Sequence, residues 1–165
     1  MRGILFTILL GWMACNEPAS DKDTKPENDQ KKITTVKLAD LNGRPINLDQ
    51  FKGRTIFLNF WATWCKPCIR EMPSIDSAQQ LLGKNGVVFL LASGETPEQI
   101  QEFRQHYPFN LNFVRLTNME ELNMDGLPTT FIYNPKGEKV FAETGYRKWN
   151  DSTNLEMILK INNQK

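Results

Sequence analysis

Residues 55–73 read TIFLNFWATWCKPCIREMP, and this stretch decides the architecture of the chain. Its first part, Thr55 to Trp61, is a dense run of β-branched and aromatic residues, which is typical of a central strand covered on both faces. A helix is predicted to begin near Cys65 and to run to about Leu82, with a kink at Pro73. The stretch therefore predicts a buried strand that leads into a helix, with two cysteines close to the junction.

Further strands and helices are predicted on both sides of this stretch. A hairpin precedes it, with strands at 34–38 and 46–48 around the turn signal Asn42–Gly43. The elements that follow are a strand at 87–92, a helix from the Thr96 capping box to about His106, a short strand at 113–116, a short helix at 118–122, paired strands at 129–133 and 138–144, and a helix that Thr153 caps and that ends near Ile161. This order predicts an α/β sandwich built on a mixed sheet.

The two cysteines carry the clearest chemistry. The first turn of a helix has unpaired N–H groups that favour a thiolate, so Cys65 is the expected nucleophile. Cys68 lies one turn further on, where it can resolve a mixed disulfide. The alternatives are two ordinary buried thiols or a metal site. A structural zinc site usually has four Cys or His ligands. Cys15 is expected to be consumed by N-terminal processing, and the only histidine, His106, is predicted to lie on a distant helix, so we expect no metal.

The first 32 residues have the composition of an export signal followed by a tether. Residues 1–15 combine a positive charge at Arg2 with an apolar stretch too short to span a bilayer, which is the pattern of a signal peptide. Residues 16–32 are polar and charged and cannot bury enough apolar surface to fold. We therefore expect a disordered tether at 16–32, a folded domain at 33–165, and a location outside the cytoplasm.

Bulk composition excludes some classes of partner. The chain has 165 residues, with 20 Lys and Arg against 19 Asp and Glu, a net charge of +1. Such a balance produces no long-range field for nucleic acid, so no nucleic-acid partner is expected. Three cysteines, two of them close together, do not form a disulfide scaffold.

Residues 60–73, FWATWCKPCIREMP, closely resemble the active-site segment of the TlpA/ResA-like thioredoxins, which are exported, membrane-tethered bacterial thiol–disulfide oxidoreductases. The resemblance covers about 33–161 and includes the later motif GLPTTF at 126–131. It implies a thioredoxin-like α/β fold, with a central mixed sheet flanked by helices and an N-terminal β-hairpin extension. Separately, residues 12–15 (WMAC) resemble the lipobox of bacterial lipoproteins, which implies lipidation at Cys15. An uncleaved anchor and cleavage elsewhere are the alternatives.

The resemblance also assigns residues to substrate binding. Pro128 is expected to be a cis-proline that faces the cysteines and presents a backbone edge to an extended substrate segment. Leu127 is expected to contact the substrate near Cys65, with ordinary strand packing as the alternative. Trp64 is expected to supply a flat apolar contact for partner proteins, whereas Trp61 is expected to pack in the core.

A carboxylate is the expected proton-transfer group. Glu71 matches a carboxylate that lies close to the active site in this family, where it could exchange protons with Cys68 or raise a cysteine pKa. A solvated helix residue is the alternative. Asn59 stands where thioredoxin proper has a buried aspartate, and an amide cannot accept a proton. Glu71 is therefore the better candidate for a proton shuttle.

The expected reaction is thiol–disulfide exchange, with no separate cofactor because the disulfide of Cys65 and Cys68 carries the electrons. The resemblance favours reduction of disulfides in exported proteins, with cytochrome c maturation as a candidate process. It further implies a membrane electron donor, and the lipobox resemblance at 12–15 implies membrane attachment through the N-terminal lipid. The alternatives are a disulfide oxidase or isomerase, a thiol peroxidase, and a non-catalytic binding module.

Overall fold

The computed structural model describes residues 35–164, which form one mixed β-sheet with helices packed against it. In chain order the described elements are β1 (Leu38–Ala39), β2 (Pro45–Ile46), β3 (Ile56–Phe60), α1 (Lys66–Leu82), β4 (Val88–Ser93), α2 (Pro97–His106), β5 (Phe113–Leu116), β6 (Thr129–Tyr133), β7 (Lys139–Thr144) and α3 (Ser152–Asn162). Short 3-10 helices lie at Leu48–Phe51, Gly83–Asn85 and Met119–Leu122.

The sheet places the end of β3 in its interior. The strand order is β2-β1-β5-β4-β3-β6-β7, in which β3, β4 and β5 are parallel neighbours and the other pairs are antiparallel. Every residue of β3 and β4 is buried, as their β-branched and aromatic composition predicts for central strands. Helix α1 starts directly after β3, so its first turn lies at the carboxyl edge of the sheet.

Alternate residues of the strands build two separate cores. On one face Phe57, Phe89 and Ile132 pack with apolar side chains of all three α-helices, around Trp61 and Trp149. On the other face Leu58, Leu90 and Phe131 pack against the N-terminal hairpin and two of the 3-10 helices. The predicted thioredoxin-like α/β architecture is thus confirmed, and Trp61 lies in the core as expected.

Local signals set most helix and strand boundaries. The Thr96 capping box is present, with the Thr96 hydroxyl accepting from Gln99 N–H at 3.3 Å and the Gln99 side chain accepting from Thr96 N–H at 3.0 Å. Pro73 lies inside α1. After α1 and its terminal 3-10 turn, Gly86 adopts a φ of 89°, a left-handed conformation that favours glycine.

Four local predictions need correction. The first hairpin strand is Leu38–Ala39, so it begins later than the predicted 34–38. The second hairpin strand is Pro45–Ile46, and a 3-10 helix begins at Leu48, where Asn47 caps it. The short helix predicted at 118–122 is a 3-10 helix, Met119–Leu122. The cap of α3 is Asp151 rather than Thr153, because the Asp151 carboxylate accepts from Asn154 N–H at 2.8 Å and starts the helix earlier.

Some predictions fall on residues that the structure does not describe. The signal peptide at 1–15, its Cys15 and the tether at 16–32 all lie outside the described range. Within residues 35–164, none of the helices has the length and apolar character needed to cross a membrane.

Candidate active site

Cys65 and Cys68 form a disulfide at the start of α1. Cys65 is the N-cap residue, and its sulfur accepts a hydrogen bond from the Cys68 backbone N–H at 3.3 Å. Pro67 occupies the first turn, where a missing N–H removes no helical hydrogen bond. Cys68 is completely buried, whereas Cys65 retains 4% of its surface, so an incoming thiol can reach only Cys65.

The setting of Cys65 favours a thiolate once the disulfide is reduced. Its sulfur lies at the positive end of the helix dipole and already accepts one N–H of the first turn. Both interactions stabilise a negative charge on sulfur and make this thiol the better nucleophile of the pair. The geometry is therefore suited to thiol–disulfide exchange that begins at Cys65.

The loop that contains Pro128 lies at the same edge of the sheet. The Leu127–Pro128 peptide bond is cis, as the resemblance implies. Pro128 is buried, lacks an N–H, and its carbonyl oxygen accepts from Gly145 N–H at 2.8 Å. Of the two residues, half-buried Leu127 is therefore better placed to offer backbone groups to an extended substrate segment.

A groove of about 610 Å³ brings Trp64 and Leu127 together. Trp64, with 72% of its surface exposed, is the most exposed large apolar side chain among residues 35–164. Leu127 also packs against both cores, so strand packing and groove lining occur in the same residue. The groove continues past Met119 to the carboxylates of Glu95 and Glu121.

Glu71 is fully buried, which excludes a solvated helix position for it. One carboxylate oxygen accepts from the Asn59 side-chain amide at 2.7 Å, and the other accepts from Arg147 N–H at 3.1 Å. Burial raises the pKa of Glu71 to about 7, although these donors and the nearby Trp149 indole oppose the rise. The Trp149 indole N–H makes no hydrogen bond of normal geometry, so it lowers the pKa of Glu71 less than the other two donors do. Glu71 can thus gain or lose a proton near neutral pH.

Asn59 connects Glu71 to the central strands. Its amide nitrogen donates to Glu71 and also to the Thr130 hydroxyl at 3.0 Å, which links α1, β3 and β6. Its side-chain oxygen is buried without a hydrogen-bond partner. Asn59 therefore serves as a hydrogen-bond donor to the Glu71 carboxylate.

Glu95, which the sequence reasoning missed, fixes the loop ahead of the cysteines. Its carboxylate accepts from Thr63 N–H at 2.8 Å, from the Thr63 hydroxyl at 2.6 Å and from the Ser93 hydroxyl at 3.0 Å. A sequence signal existed: Glu95 follows β4, and the ends of parallel neighbours β3 and β4 meet at one edge. Arg147 was missed as well, and no local pattern marks it.

Metal chemistry has no preformed centre in residues 35–164, where no group of three or more His, Cys, Asp or Glu side chains is arranged to hold an ion. His106 is exposed at the end of α2, and its Nδ1 lies 2.9 Å from the Glu102 carbonyl oxygen.

Comparison with known proteins agrees with this geometry. Residues 30–140 match the AhpC/TSA family. The thiol–disulfide oxidoreductase ResA of Bacillus subtilis is 33% identical over 149 residues, which cover 87% of this chain and 82% of that protein. The thioredoxin-like protein YneN of the same organism is 34% identical over 146 residues, covering 83% and 84%.

Solved structures support the fold. A thiol:disulfide interchange protein of the thioredoxin family from Chlorobium tepidum superposes with a TM-score of 0.61 at 21% identity, covering 76% of this chain and 92% of that one. At this identity the likeness concerns the fold alone, while the activity follows from the ResA relatives and the Cys65–Cys68 disulfide. The chain therefore belongs to the AhpC/TSA family and is a thioredoxin-fold thiol–disulfide oxidoreductase that acts on disulfide-containing proteins.

Proposed function

We propose that this oxidoreductase works outside the cytoplasm as a reductant of disulfides in exported proteins, with cytochrome c maturation as the candidate process. The observation that carries the proposal is the Cys65–Cys68 disulfide at the start of α1, one turn before a buried carboxylate at Glu71. Similarity to ResA thiol–disulfide oxidoreductases over most of the chain supports thiol–disulfide exchange, and the reducing direction follows from the resemblance of residues 60–73 to the TlpA/ResA-like thioredoxins.

The proposed reaction has two exchange steps. In the first, the Cys65 thiolate attacks one sulfur of a substrate disulfide, so a mixed disulfide forms and the other substrate sulfur leaves as a thiolate that takes up a proton. In the second, the Cys68 sulfur attacks Cys65, the intramolecular disulfide forms, and the second substrate thiol is released. Two electrons pass from the cysteine pair to the substrate.

Glu71 is the proposed proton acceptor for Cys68. It lies three residues further along α1, which places the two side chains on the same side of the helix. With a pKa raised by burial to about 7, it can accept the thiol proton as Cys68 becomes the attacking thiolate. Because Cys68 has no exposed surface, an internal acceptor is needed for this proton.

Substrate proteins would bind over the exposed ring of Trp64 and along Leu127 and Pro128. Trp64 offers a large apolar surface with few rotatable bonds, which suits contact with partner proteins. The segment around Leu127 would pair with an extended stretch of the substrate that carries the target disulfide.

Location and electron supply belong to the same proposal. The signal-peptide pattern at 1–15 and the lipobox resemblance at Cys15 support export and lipid anchoring, with residues 16–32 as the tether. After each turnover the Cys65–Cys68 disulfide would be reduced again by a membrane electron donor. No other cofactor is needed, since the two cysteines carry the electrons.

The test is to trap the mixed disulfide. In the full chain with Cys68→Ser, a disulfide-bonded test protein such as insulin should accumulate as an adduct on Cys65, detectable by non-reducing electrophoresis and mass spectrometry. Cys65→Ser is the matched control and should form no adduct. Wild-type protein recycled by dithiothreitol should reduce insulin, and this reduction should be faster than the oxidation of a reduced dithiol peptide by the oxidised protein in a separate reaction without dithiothreitol. Absence of the adduct would favour a binding module, and faster peptide oxidation would favour an oxidase.

A further inference from the structure

The segment between β7 and α3 closes over Glu71 and is tied to α1. The Arg147 N–H donates to the Glu71 carboxylate at 3.1 Å. Two residues later, Trp149 N–H donates to the Ser74 hydroxyl at 3.0 Å, and that hydroxyl donates to the Glu71 carbonyl oxygen at 2.7 Å. Both backbone donors thus depend on how this segment is held against the helix.

The side chain of Arg147 turns away from Glu71 and anchors the segment. Its guanidinium forms an ion pair with Glu143 of β7, with Nε at 3.0 Å from one carboxylate oxygen and Nη2 on the other. Its Nη1 donates to the Asn154 side chain of α3 at 2.6 Å. The guanidinium carbon also lies 5.6 Å from the Trp149 ring centre. Because a planar guanidinium fits a carboxylate with two parallel hydrogen bonds, this anchor fixes orientation as well as distance.

Asn154, at the far side of the anchor, is itself held by hydrogen bonds. Asn154 is buried, and its amide nitrogen donates to the Lys148 carbonyl oxygen at 2.9 Å and to the Asp151 carboxylate at 3.2 Å. Arg147 therefore spans from the end of β7 to the first turn of α3, with the connecting segment between them. That segment has no regular secondary structure of its own.

We propose that Arg147 is a positioning residue for the active site: held by Glu143 and Asn154, it keeps its own backbone N–H on the Glu71 carboxylate. This inference deepens the proposed function, because it rests on Glu71 as the proton acceptor. The donated N–H stabilises the ionised carboxylate and so opposes the effect of burial, which otherwise keeps the carboxyl neutral.

The other groups around Glu71, besides the Arg147 N–H, are neutral in the oxidised protein. These are the Asn59 amide from β3, with Thr130 of β6 behind it, the Trp149 indole from the connecting segment, and the disulfide of Cys65 and Cys68 at the start of α1. Arg147 and Glu143 form an ion pair beside this segment. Loss of the Arg147 charge alone would leave the Glu143 charge uncompensated, which also raises the pKa of Glu71, so a variant that loosens Arg147 without changing any charge is needed beside Arg147→Ala.

The test is the titration of Glu71 in the oxidised full chain, followed by the ¹³C resonance of its carboxyl group and assigned with Glu71→Gln. In wild type the midpoint should lie near pH 7. In Arg147→Ala it should rise by roughly one pH unit, since two or three N–H donors together lower a carboxyl pKa by about two units. Arg44→Ala is the matched control, because Arg44 pairs with Asp40 four residues away on the exposed surface, and it should leave the midpoint unchanged.

A second variant keeps the inference testable if Arg147→Ala does not fold. Asn154→Ala removes the acceptor of Arg147 Nη1 without changing any charge, and it should raise the midpoint by a smaller amount. An unchanged midpoint in folded Arg147→Ala or Asn154→Ala protein would overturn the inference. The titration needs no turnover, so it is independent of the reductase assay. If the midpoint moves but Glu71→Gln reduces insulin at the wild-type rate, the positioning role stands and only the proton-transfer role fails.

Discussion

At the scale of single residues, the site depends on the Glu71 carboxylate, whose surroundings act on its pKa in two opposite directions. Glu71 is buried, which disfavours its charge, yet it accepts hydrogen bonds from Asn59 and from the Arg147 backbone, which favour it. The outcome is a pKa of about 7, between that of a free carboxylate and that of a thiol. This intermediate value suits a group that takes a proton from Cys68 and later returns it.

The raised pKa predicts a loss of stability with rising pH. Below the unfolded pKa of about 4.5 the carboxyl is neutral in both states, and between pH 4.5 and 7 only the unfolded chain releases the proton. Stability should therefore fall through this window in wild type, by up to about 3 kcal/mol, and should fall less in Glu71→Gln. Urea unfolding of the oxidised protein at pH 4.5 and 8 measures the difference.

The control for that experiment is Glu156→Gln, which changes an exposed glutamate of α3. It should keep the wild-type dependence on pH. An identical dependence in wild type and Glu71→Gln would mean that the burial of Glu71 does not raise its pKa.

Glu95 is expected to hold the loop that carries Trp64 and Cys65. In Glu95→Ala, the N–H and hydroxyl of Thr63 lose their acceptor, and a hydrogen bond to a charged group contributes about 1.5–3 kcal/mol. Amide exchange at Thr63 should therefore accelerate at least about ten-fold. Glu102→Ala, at an exposed position on α2, is the control, and equal exchange rates in the two variants would show that Glu95 does not hold the loop.

Residue roles differ in how far the sequence could predict them. The roles of Cys65 and Cys68 were predictable because two cysteines three positions apart at a strand–helix junction are typical of a redox-active disulfide, a pattern that is visible in the local sequence. The burial of Glu71 was not, since it depends on Arg147 and Trp149, which approach α1 from the far end of the chain. Side-chain contacts of such long sequence separation leave no local pattern.

At the scale of elements, the core strands and α2 follow from local signals. The hairpin of β6 and β7 and the capping box of α2 were predicted to within a residue because turn and cap chemistry is short-ranged. The α3 start was misplaced because Asp151 and Thr153 are both good N-cap residues, and the choice between them depends on packing against Lys148 and Arg147. The strand at 46–48 was cut short because Asn47 caps a 3-10 helix instead.

The corrected cap gives a prediction at this scale. Asp151→Ala should lower the free energy of unfolding by about 1 kcal/mol, because the Asn154 N–H loses its acceptor in the first turn of α3. Thr153→Ala is the matched control and should change it by a few tenths of a kcal/mol at most, since Thr153 lies exposed inside the helix. Thermal or urea denaturation of both variants decides between the two caps. A larger effect at Thr153 would restore the original prediction.

At the scale of the whole molecule, the catalytic domain is expected to work at the end of a tether. Residues 1–15 resemble an export signal with a lipobox, and the polar and charged composition of residues 16–32 is typical of a tether. A lipid on the first mature residue would keep the disulfide of Cys65 and Cys68 near the membrane while leaving the domain free to meet exported substrates.

Lipidation predicts a specific mature terminus. When the chain is expressed in a bacterium with lipoprotein processing, intact mass and peptide mapping should find Cys15 as the N-terminal residue with acyl chains attached. Cys15→Ser should abolish the modification and release the protein from the membrane fraction, whereas Ser20→Ala in the tether should change neither. An unmodified Cys15 within a longer chain would contradict lipid anchoring. It would not affect the assignment of the oxidoreductase activity to Cys65 and Cys68.

The most direct test of the central claim is the reduction potential of the Cys65–Cys68 pair, measured by equilibrating the protein in graded dithiothreitol or glutathione buffers and quantifying the free thiols. A dedicated reductant should have a potential close to that of thioredoxin, about −270 mV, so that electrons flow from the pair to substrate disulfides. A potential near −120 mV, as in a strong disulfide donor, would contradict the account, because the pair would then oxidise its partners instead.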